Sequence, residues 1–342
     1  MSDLPPPSRP RTVLDRPTRE FVNQGPASPA SYRLEPRSGQ ADPVLDEDAT
    51  STEWFLLPGG PTGHVRVEVV RPAGGRVGAM PVVLFLHGLG CVLGDTGTRT
   101  SPRTHVGRLV RAFALGTDAA VVLVDYAPAP EAAYPVAVEQ CYAVARWLGE
   151  RGGDIGLDGS RIAAVGDSAG GNLVAALTLL AKERGGIRLV QQVLLCPVTD
   201  ADFGTSSYRE FAEGYFVGRD TMRRFWDRYV PDVQQRGLAT VSPLRATLEQ
   251  LAGLPPALVV TSEADVVRDE GEAYSARLRA AGVEVVSMRY HGTIHGFMVL
   301  DRLRDTESAR AALVHTLDVV HVALHTRRDR APVPPLRQAS DR

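Results

Sequence analysis

Short apolar runs recur along the chain and alternate with segments whose apolar residues follow a helical period. Six of these runs have the length and composition of buried strands: residues 82–86, 120–124, 162–165, 192–195, 257–261 and 283–289. Helical periodicity fills residues between and after them: 136–150, 172–182, 270–281 and 306–324. Strands that alternate with helices predict a mainly parallel sheet with helices on both faces.

Two apolar stretches before this series follow a different pattern. Residues 51–58 and 64–72 are separated by the turn-forming sequence GGPTG, so they predict an antiparallel hairpin. Together with the six buried runs, the hairpin brings the predicted sheet to eight strands. A short periodic segment at residues 14–22 predicts one helix ahead of the hairpin.

The connection between the strand that ends at Cys196 and the strand that starts at Ala257 is too long for a simple crossover. It is rich in aromatic residues: Phe203, Tyr208, Phe211, Tyr215, Phe216, Phe225, Trp226 and Tyr229. Residues 219–230 have a helical pattern. The segment therefore predicts an inserted cap, whose rings either line a substrate pocket or form a small core of their own.

These elements predict three parts of the chain. Residues 1–50 are predicted to be an N-terminal tail and a segment associated with the cap. Residues 51–325 are predicted to form one α/β domain with the cap inserted at about 200–245. Residues 326–342, rich in Pro, Arg, Ser and Asp, are predicted to be a disordered tail.

Composition restricts the classes of function. The chain of 342 residues has 38 basic and 40 acidic residues and a net charge of −2, which disfavours nucleic acid and anionic membranes as partners. Its apolar runs are too short to span a bilayer, and the N-terminus lacks the apolar region of a secretory signal. Three widely spaced cysteines predict reduced core thiols. We expect a cytoplasmic protein.

The sequence Gly166-Asp167-Ser168-Ala169-Gly170 stands where a predicted strand meets a predicted helix. So sharp a turn strains the backbone of the central residue and tolerates only small neighbours. It would hold the Ser168 hydroxyl clear of the sheet, above the free N–H groups of a helix N-terminus. This nucleophile elbow is the favoured interpretation, and an ordinary tight turn with a capping serine is the alternative.

A serine nucleophile needs a base and an acid that orients the base, in the chain order serine, acid, histidine. Asp265 follows the strand at residues 257–261, and Glu263 and Asp269 are competing acids. Asp269 is better placed as a first-turn charge of the next helix. The last predicted strand leads to His291 and His295, which are the two candidate bases.

Acyl transfer also needs N–H donors for the oxyanion. The strand at residues 82–86 runs into His87-Gly88-Leu89-Gly90, a glycine-bearing loop of the kind that supplies such donors. The N–H of Ala169, directly after the elbow serine, would join them.

Several motifs in this order resemble those of the hormone-sensitive-lipase-like bacterial esterases, which have the α/β-hydrolase fold. They cover most of the chain: HGLG, DYAPAPEAAYP, GDSAGG, SPLRA, GLPPALVVTSEADVVRDEG and IHGF. The resemblance implies a mostly parallel eight-stranded sheet with a helical cap, mostly short-acyl carboxylic esters as substrates, and no metal or organic cofactor. Because the predicted cap would limit the acyl group, we expect short- to medium-chain esters.

The resemblance also implies a role for each matched residue. Ser168 would be the nucleophile, Asp265 the acid and His295, within the HGF signature, the base. The oxyanion donors would be Leu89, Gly90 and Ala169, with His87 and Gly88 shaping the loop. Leu89 departs from the family, which has glycine there, although any residue except proline still offers an N–H.

The leading hypothesis is therefore a carboxylic-ester hydrolase whose partner is a small-molecule ester. An amide or N-acetyl hydrolase would use the same residues. A non-catalytic ligand-binding relative is disfavoured, because Ser168, Asp265 and His295 are all present. The sequence leaves a homo-oligomer open.

Overall fold

The computed structural model describes residues 12–24, 49–74, 78–88 and 102–326, without the side chains of residues 102–105. Within these ranges the chain forms eight strands: β1 (Thr50–Pro58), β2 (His64–Pro72), β3 (Met80–Leu86), β4 (Ala120–Asp125), β5 (Leu157–Asp167), β6 (Leu189–Leu195), β7 (Ala257–Ala264) and β8 (Val285–Ile294).

The same ranges contain nine α-helices: α1 (Arg16–Gln24), α2 (Pro102–Thr117), α3 (Val136–Arg151), α4 (Ala169–Arg184), α5 (Ser206–Glu210), α6 (Arg219–Tyr229), α7 (Leu248–Leu251), α8 (Arg268–Ala280) and α9 (Glu307–His325). They also contain three short 3₁₀ helices: Gly152–Ile155, Val233–Gly237 and Pro243–Arg245.

All eight strands belong to one sheet in the order β1-β2-β4-β3-β5-β6-β7-β8. The pairs β1–β2 and β2–β4 are antiparallel, and every other neighbouring pair is parallel. Gly59, Gly60 and Gly63 in the turn between β1 and β2 all have φ between 70° and 124°, a range that glycine adopts readily. The predicted hairpin and the predicted mainly parallel sheet are both confirmed.

Side chains of the central strands alternate between two buried layers. In β3, Val83 and Phe85 belong to the core under α2 and α9, whereas Val82 and Leu84 belong to the core under α3, α4 and α8. All four side chains are fully buried. Burial on both faces explains why these strands are continuous apolar runs, with no alternation of polar and apolar residues.

The connection between β6 and β7 contains α5, α6 and α7, and we call it the insertion. Four of its rings lie in the core that also holds α2 and α9, and they are Tyr208, Phe211, Phe216 and Trp226. The remaining four pack against that core while partly exposed, and they are Phe203, Tyr215, Phe225 and Tyr229. Of the two predicted roles for these rings, the structure supports core packing.

Helix α1 nearly coincides with the helix that was predicted at residues 14–22. It packs on the insertion. The Asp15 carboxylate accepts the N–H of Thr18 at 2.8 Å, a capping bond that begins the helix. The Phe21 ring meets the Phe216 ring edge-on, with centroids 5.5 Å apart. Asp15 N–H also donates to Gly292 O at 3.0 Å, which attaches α1 to the end of β8.

Several predicted boundaries were wrong, and two of them bear on the candidate site. Strand β8 begins at Val285 and continues to Ile294, beyond the predicted 283–289, because Ile294 still pairs with Ala264 after a bulge. His291 therefore lies within the strand, and only His295 follows it. Helix α4 begins at Ala169, ahead of the predicted residue 172, because its first turn holds two glycines that give no apolar signal.

Several predictions concern residues outside the described ranges. The predicted tails largely fall there, as residues 1–11 and 327–342. Residues 89–101, which include the predicted oxyanion donors Leu89 and Gly90, also lie outside the described ranges. The division into tail, α/β domain and cap stays a prediction. Cys141 and Cys196 are buried, as expected for cysteines of the core, and Cys91 is among the undescribed residues. None of the described helices is long and apolar enough to cross a membrane.

Candidate active site

Ser168 stands at the junction between β5 and α4. Its φ of 53° and ψ of −116° lie in a region that residues with a side chain seldom adopt. Its N–H donates to Leu195 O at 2.8 Å, and its carbonyl accepts the N–H groups of Asn172 and Val198, each at 3.2 Å. Its hydroxyl makes no capping bond to α4, so the side chain is available for another partner.

The glycines around Ser168 are required by close packing. A Cβ at Gly166 would lie 2.3 Å from Gly170 O, and a Cβ at Gly170 would lie 1.9 Å from Leu86 O. A Cβ at Gly171 would lie 2.9 Å from the Cβ of Pro197. Larger residues would therefore push the elbow away from β3 and from the end of β6.

Three side chains from separate strand ends form one continuous line of hydrogen bonds. His295 Nε2 lies 2.8 Å from Ser168 Oγ, and His295 Nδ1 lies 2.8 Å from Asp265 Oδ2. Ser168 follows β5, Asp265 follows β7 and His295 follows β8, so all three lie at the carboxyl edge of the sheet. With Nδ1–H donating to Asp265, Nε2 is the acceptor for the serine proton.

Asp265 and His295 are held away from water. Their side chains are 0% and 6% exposed. Asp265 Oδ1 accepts the N–H of Val267 at 3.1 Å, which leaves Oδ2 for the imidazole. The hydroxyl of Ser262 donates to Ile294 O at 2.9 Å and so fixes the residue before His295.

The pKa of His295 is raised above that of an ordinary histidine. Burial acts to lower it, but the charge of Asp265, the hydrogen bond to Asp265 and the charge of Asp167 outweigh burial. A raised pKa means that this imidazole holds a proton more readily than a free one, which suits a group that must become imidazolium during the reaction.

The competing acid and base form a separate pair. His291 Nδ1 lies 3.0 Å from Glu263 Oε1, and the His291 side chain is 72% exposed. Glu263 Oε2 also accepts the N–H of Gly292 at 2.8 Å. The bond to Gly292 and the pairing with His291 lower the pKa of Glu263, although burial acts in the opposite direction. Neither residue is hydrogen-bonded to Ser168.

The other competing acid, Asp269, lies in the first turn of α8, as predicted. Its Oδ2 accepts the N–H of Ser207 in the insertion at 2.8 Å. The neighbouring Glu270 is buried and accepts the N–H of Thr199 at 2.7 Å. Both carboxylates thus fasten the insertion to the helix that follows the Asp265 loop.

Replacing Asp265 with asparagine should lower kcat for ester hydrolysis by about 10²- to 10⁴-fold, because an amide cannot stabilise the imidazolium as a carboxylate does. Glu263→Gln is the matched control and should change kcat by less than about threefold, since the Glu263 carboxylate binds the exposed His291 and the N–H of Gly292, away from Ser168. Steady-state kinetics of the two variants test this. The opposite ranking would show that the acid is misassigned.

The donors expected for an oxyanion lie partly in the described chain. Ala169 is the first residue of α4, so its N–H belongs to the helix N-terminal amides that have no partner within the helix. His87 is buried, and its ring stacks on that of Tyr126 with centroids 4.4 Å apart. Leu89 and Gly90 lie outside the described residues, so their assignment stays a prediction.

The sequence motifs assign no role to Asp167, yet its side chain is buried beside Ser168. Its Oδ1 accepts the N–H of Gly88 at 2.9 Å. Burial raises the pKa of Asp167 to about 6, although the Gly88 N–H and the charge of His295 act to lower it. The pattern G-x-S-x-G treats this position as variable, and the bond to Gly88 joins residues too far apart for a sequence pattern to reveal.

A small cavity of about 10 Å³ opens beside Ser168 and His295, about the space of one water-sized group. Its walls are mostly apolar. They come from the carboxyl end of β6 and from the residues after β8: Leu195, Cys196, Gly296, Phe297, Met298 and Val299. Within the described ranges, no ring of the insertion lines this cavity.

The described residues contain no group of three or more His, Cys, Asp and Glu side chains arranged to hold a metal ion. The chemistry that the site offers from its own residues is activation of a serine hydroxyl by a buried histidine and a carboxylate.

A family model described as the alpha/beta hydrolase fold matches residues 83–299. Carboxylesterase NlhH of Mycobacterium tuberculosis is 40% identical over 223 residues, which span 64% of this chain and 67% of that protein. Carboxylic ester hydrolase LipN of the same organism is 39% identical over 268 residues, which span 76% of this chain and 67% of that protein.

Solved structures give a similar result. The crystal structure of a thermostable esterase from Pseudomonas putida has a TM-score of 0.82 and is 36% identical, covering 94% of this chain and 100% of that chain. Carboxyl esterase 2 of the fungus Tuber melanosporum has a TM-score of 0.80 and is 33% identical, covering 91% of this chain and 100% of that chain.

Proposed function

This chain belongs to the alpha/beta hydrolase family, among its hormone-sensitive-lipase-like carboxylesterases, and we propose that it hydrolyses short- to medium-chain acyl esters through Ser168, His295 and Asp265. The observation that carries the proposal is the unbroken line of two 2.8 Å contacts from Ser168 through His295 to Asp265. The relatives and the structures with the same fold are ester hydrolases. The roles of Ser168, His295 and Asp265 are our inference from their geometry.

Acylation begins when His295 Nε2 takes the proton of Ser168 Oγ as that oxygen attacks the carbonyl carbon of the ester. The π electrons of the carbonyl move to its oxygen and form a tetrahedral oxyanion. Asp265 stabilises the imidazolium and keeps Nδ1 protonated. When the intermediate collapses, the C–O bond to the alcohol breaks, and the departing alkoxide takes the proton from Nε2.

Deacylation repeats these steps with water. His295 Nε2 takes a proton from water as the water oxygen attacks the acyl carbon of acyl-Ser168. The second tetrahedral intermediate collapses by releasing Ser168 Oγ, which recovers its proton from the imidazolium. The products are the free acid and the resting enzyme, so the cycle needs only water and the ester.

Stabilisation of the oxyanion is assigned to backbone N–H groups. The N–H of Ala169 at the start of α4 is one donor, and the helix dipole favours negative charge at that end. By their positions in the family motif, Leu89 and Gly90 supply the others. Removal of one such donor in a serine hydrolase costs about two to three decades in kcat.

The acyl group should be limited in length. Within the described residues, the cavity beside Ser168 measures about 10 Å³, and Phe297, Met298 and Val299 bound it. A series of p-nitrophenyl esters from acetyl to palmitoyl should show kcat/KM falling by about 100-fold or more between butyryl and palmitoyl, because a long chain finds no room there. Equal rates on acetyl and palmitoyl esters would contradict this.

The same panel tests the proposed function itself. It should include N-acetyl amides of matched size, since an amide hydrolase would use the same three residues. Faster turnover of the esters supports the proposal. Turnover of the amides alone would favour the alternative, and a folded protein that turns over neither substrate class would contradict hydrolysis.

A further inference from the structure

Asp167 is a buried carboxyl at the active site that the reaction above does not use. It ends β5 directly before the nucleophile and is 5% exposed. Its Oδ1 accepts the backbone N–H of Gly88 at 2.9 Å. Gly88 belongs to the loop after β3, so this bond connects the elbow with the segment in which the family motif places the oxyanion donors.

Gly88 packs so closely against the elbow that a side chain at this position would collide with three of its atoms. A Cβ at Gly88 would lie 2.4 Å from Asp167 O, 2.7 Å from Asp167 Oδ2 and 2.9 Å from the Cβ of Ser168. Real side chains do not come this close. The start of the loop therefore rests directly on Asp167 and Ser168, and a small displacement of Asp167 would move it relative to the nucleophile.

We infer that Asp167 is a positioning residue for ester hydrolysis: its carboxylate holds the N–H of Gly88, fixes the start of the oxyanion loop against Ser168, and adds a second negative charge near His295. The inference rests on the proposed function, because it concerns the same site. It gives Asp167 no bond to substrate and no proton to transfer.

The charged and titratable groups around Asp167 come from five strand ends. His87 and Tyr126 lie at the ends of β3 and β4, and Cys196 lies at the end of β6, where the charge of Asp167 contributes to raising the thiol pKa. His295 lies after β8. The charge of Asp167 raises the pKa of His295, and the charge of His295 lowers the pKa of Asp167. Asp265 completes the set, so two carboxylates act on one imidazole.

Two variants of Asp167 separate the roles of shape and charge. Asp167→Asn keeps an oxygen that can accept the Gly88 N–H but removes the charge. Asp167→Ala removes both and leaves a buried N–H without its acceptor. We expect Asp167→Ala to lose about 100-fold in kcat with KM within about threefold, and Asp167→Asn to retain at least about ten times the kcat of the alanine variant.

The pH profile gives a readout that a purely structural role would not move. Removing the negative charge in Asp167→Asn takes away one of the influences that raise the pKa of His295. The rising limb of kcat/KM should therefore shift to lower pH than in the wild type. Glu263→Gln removes a carboxylate at the same edge of the sheet without touching Ser168, and its limb should stay closer to that of the wild type.

Thermal unfolding of each variant shows whether it is folded. If the Asp167→Ala variant does not fold, the test of the inference is the rising limb of the pH profile of Asp167→Asn. Equal losses in the two variants, no loss in either, or an unmoved limb in Asp167→Asn would overturn the inference while the wild type still hydrolyses esters. A wild type without esterase activity would instead count against the proposed function.

Discussion

Replacing Ser168 with alanine should lower ester turnover by roughly 10⁴-fold or more, because the three residues act as a unit and fail together when the nucleophile is absent. The fold should remain intact. The serine hydroxyl makes no capping bond to α4, and alanine keeps the Cβ that already occupies the strained backbone position. The measurement is steady-state hydrolysis of a good short-chain ester by the purified variant.

A matched control for this variant is Ser160→Ala. Ser160 lies in the first half of β5, and its N–H and hydroxyl both donate to Asp158 on the surface, so the Ser160→Ala variant should keep full activity. A fluorophosphonate probe should label the wild type and Ser160→Ala but not Ser168→Ala, since the probe reacts with an activated serine. Retention of a tenth or more of wild-type activity by Ser168→Ala would remove Ser168 from the nucleophile role.

Replacing His295 with alanine should lower kcat by about three decades or more, whereas His291→Ala should lose less than about threefold. The two histidines are four residues apart, but the structure separates them. His295 is buried and contacts Ser168 and Asp265, and His291 is exposed and contacts Glu263. This makes His291→Ala the natural control. The reverse ranking of kcat values would show that the base is His291.

The pH dependence of the wild type follows from the same histidine. The base must be unprotonated to accept the serine proton, so kcat/KM should rise with pH as His295 loses its proton. Because the pKa of His295 is raised, the rising limb should lie above the pH at which an unperturbed histidine titrates. A limb below that value would show that burial outweighs the charges of Asp265 and Asp167.

The strands were largely predictable because they are buried on both faces. Every residue of β3 and residues 120–124 of β4 are apolar and buried, so these runs stood out against their flanks. Strand β5 was harder to delimit, since it begins at Leu157, and Asp158 and Ser160 break its apolar pattern. Its start is fixed by pairing of Leu157 with Met80, which no local pattern encodes.

The arrangement of the candidate site was predictable where chain order decides it. Ser168, Asp265 and His295 each follow a strand of the same sheet, so topology alone brings them to one edge. The bond from Asp167 to Gly88 could not be foreseen, because it depends on how two loops meet at the elbow. The function of the aromatic insertion was equally open, since a ring that packs in a core and a ring that lines a pocket give the same pattern.

The backbone of Ser168 has a consequence for the evolution of this protein. A conformation of this kind costs about 1–3 kcal/mol for a residue with a side chain, and glycine would adopt it at little cost. Glycine would therefore relieve the backbone strain at this position, but it would remove the proposed nucleophile. Selection for stability alone would favour the replacement of Ser168. A directed-evolution library that is screened for heat resistance must therefore also be screened for turnover.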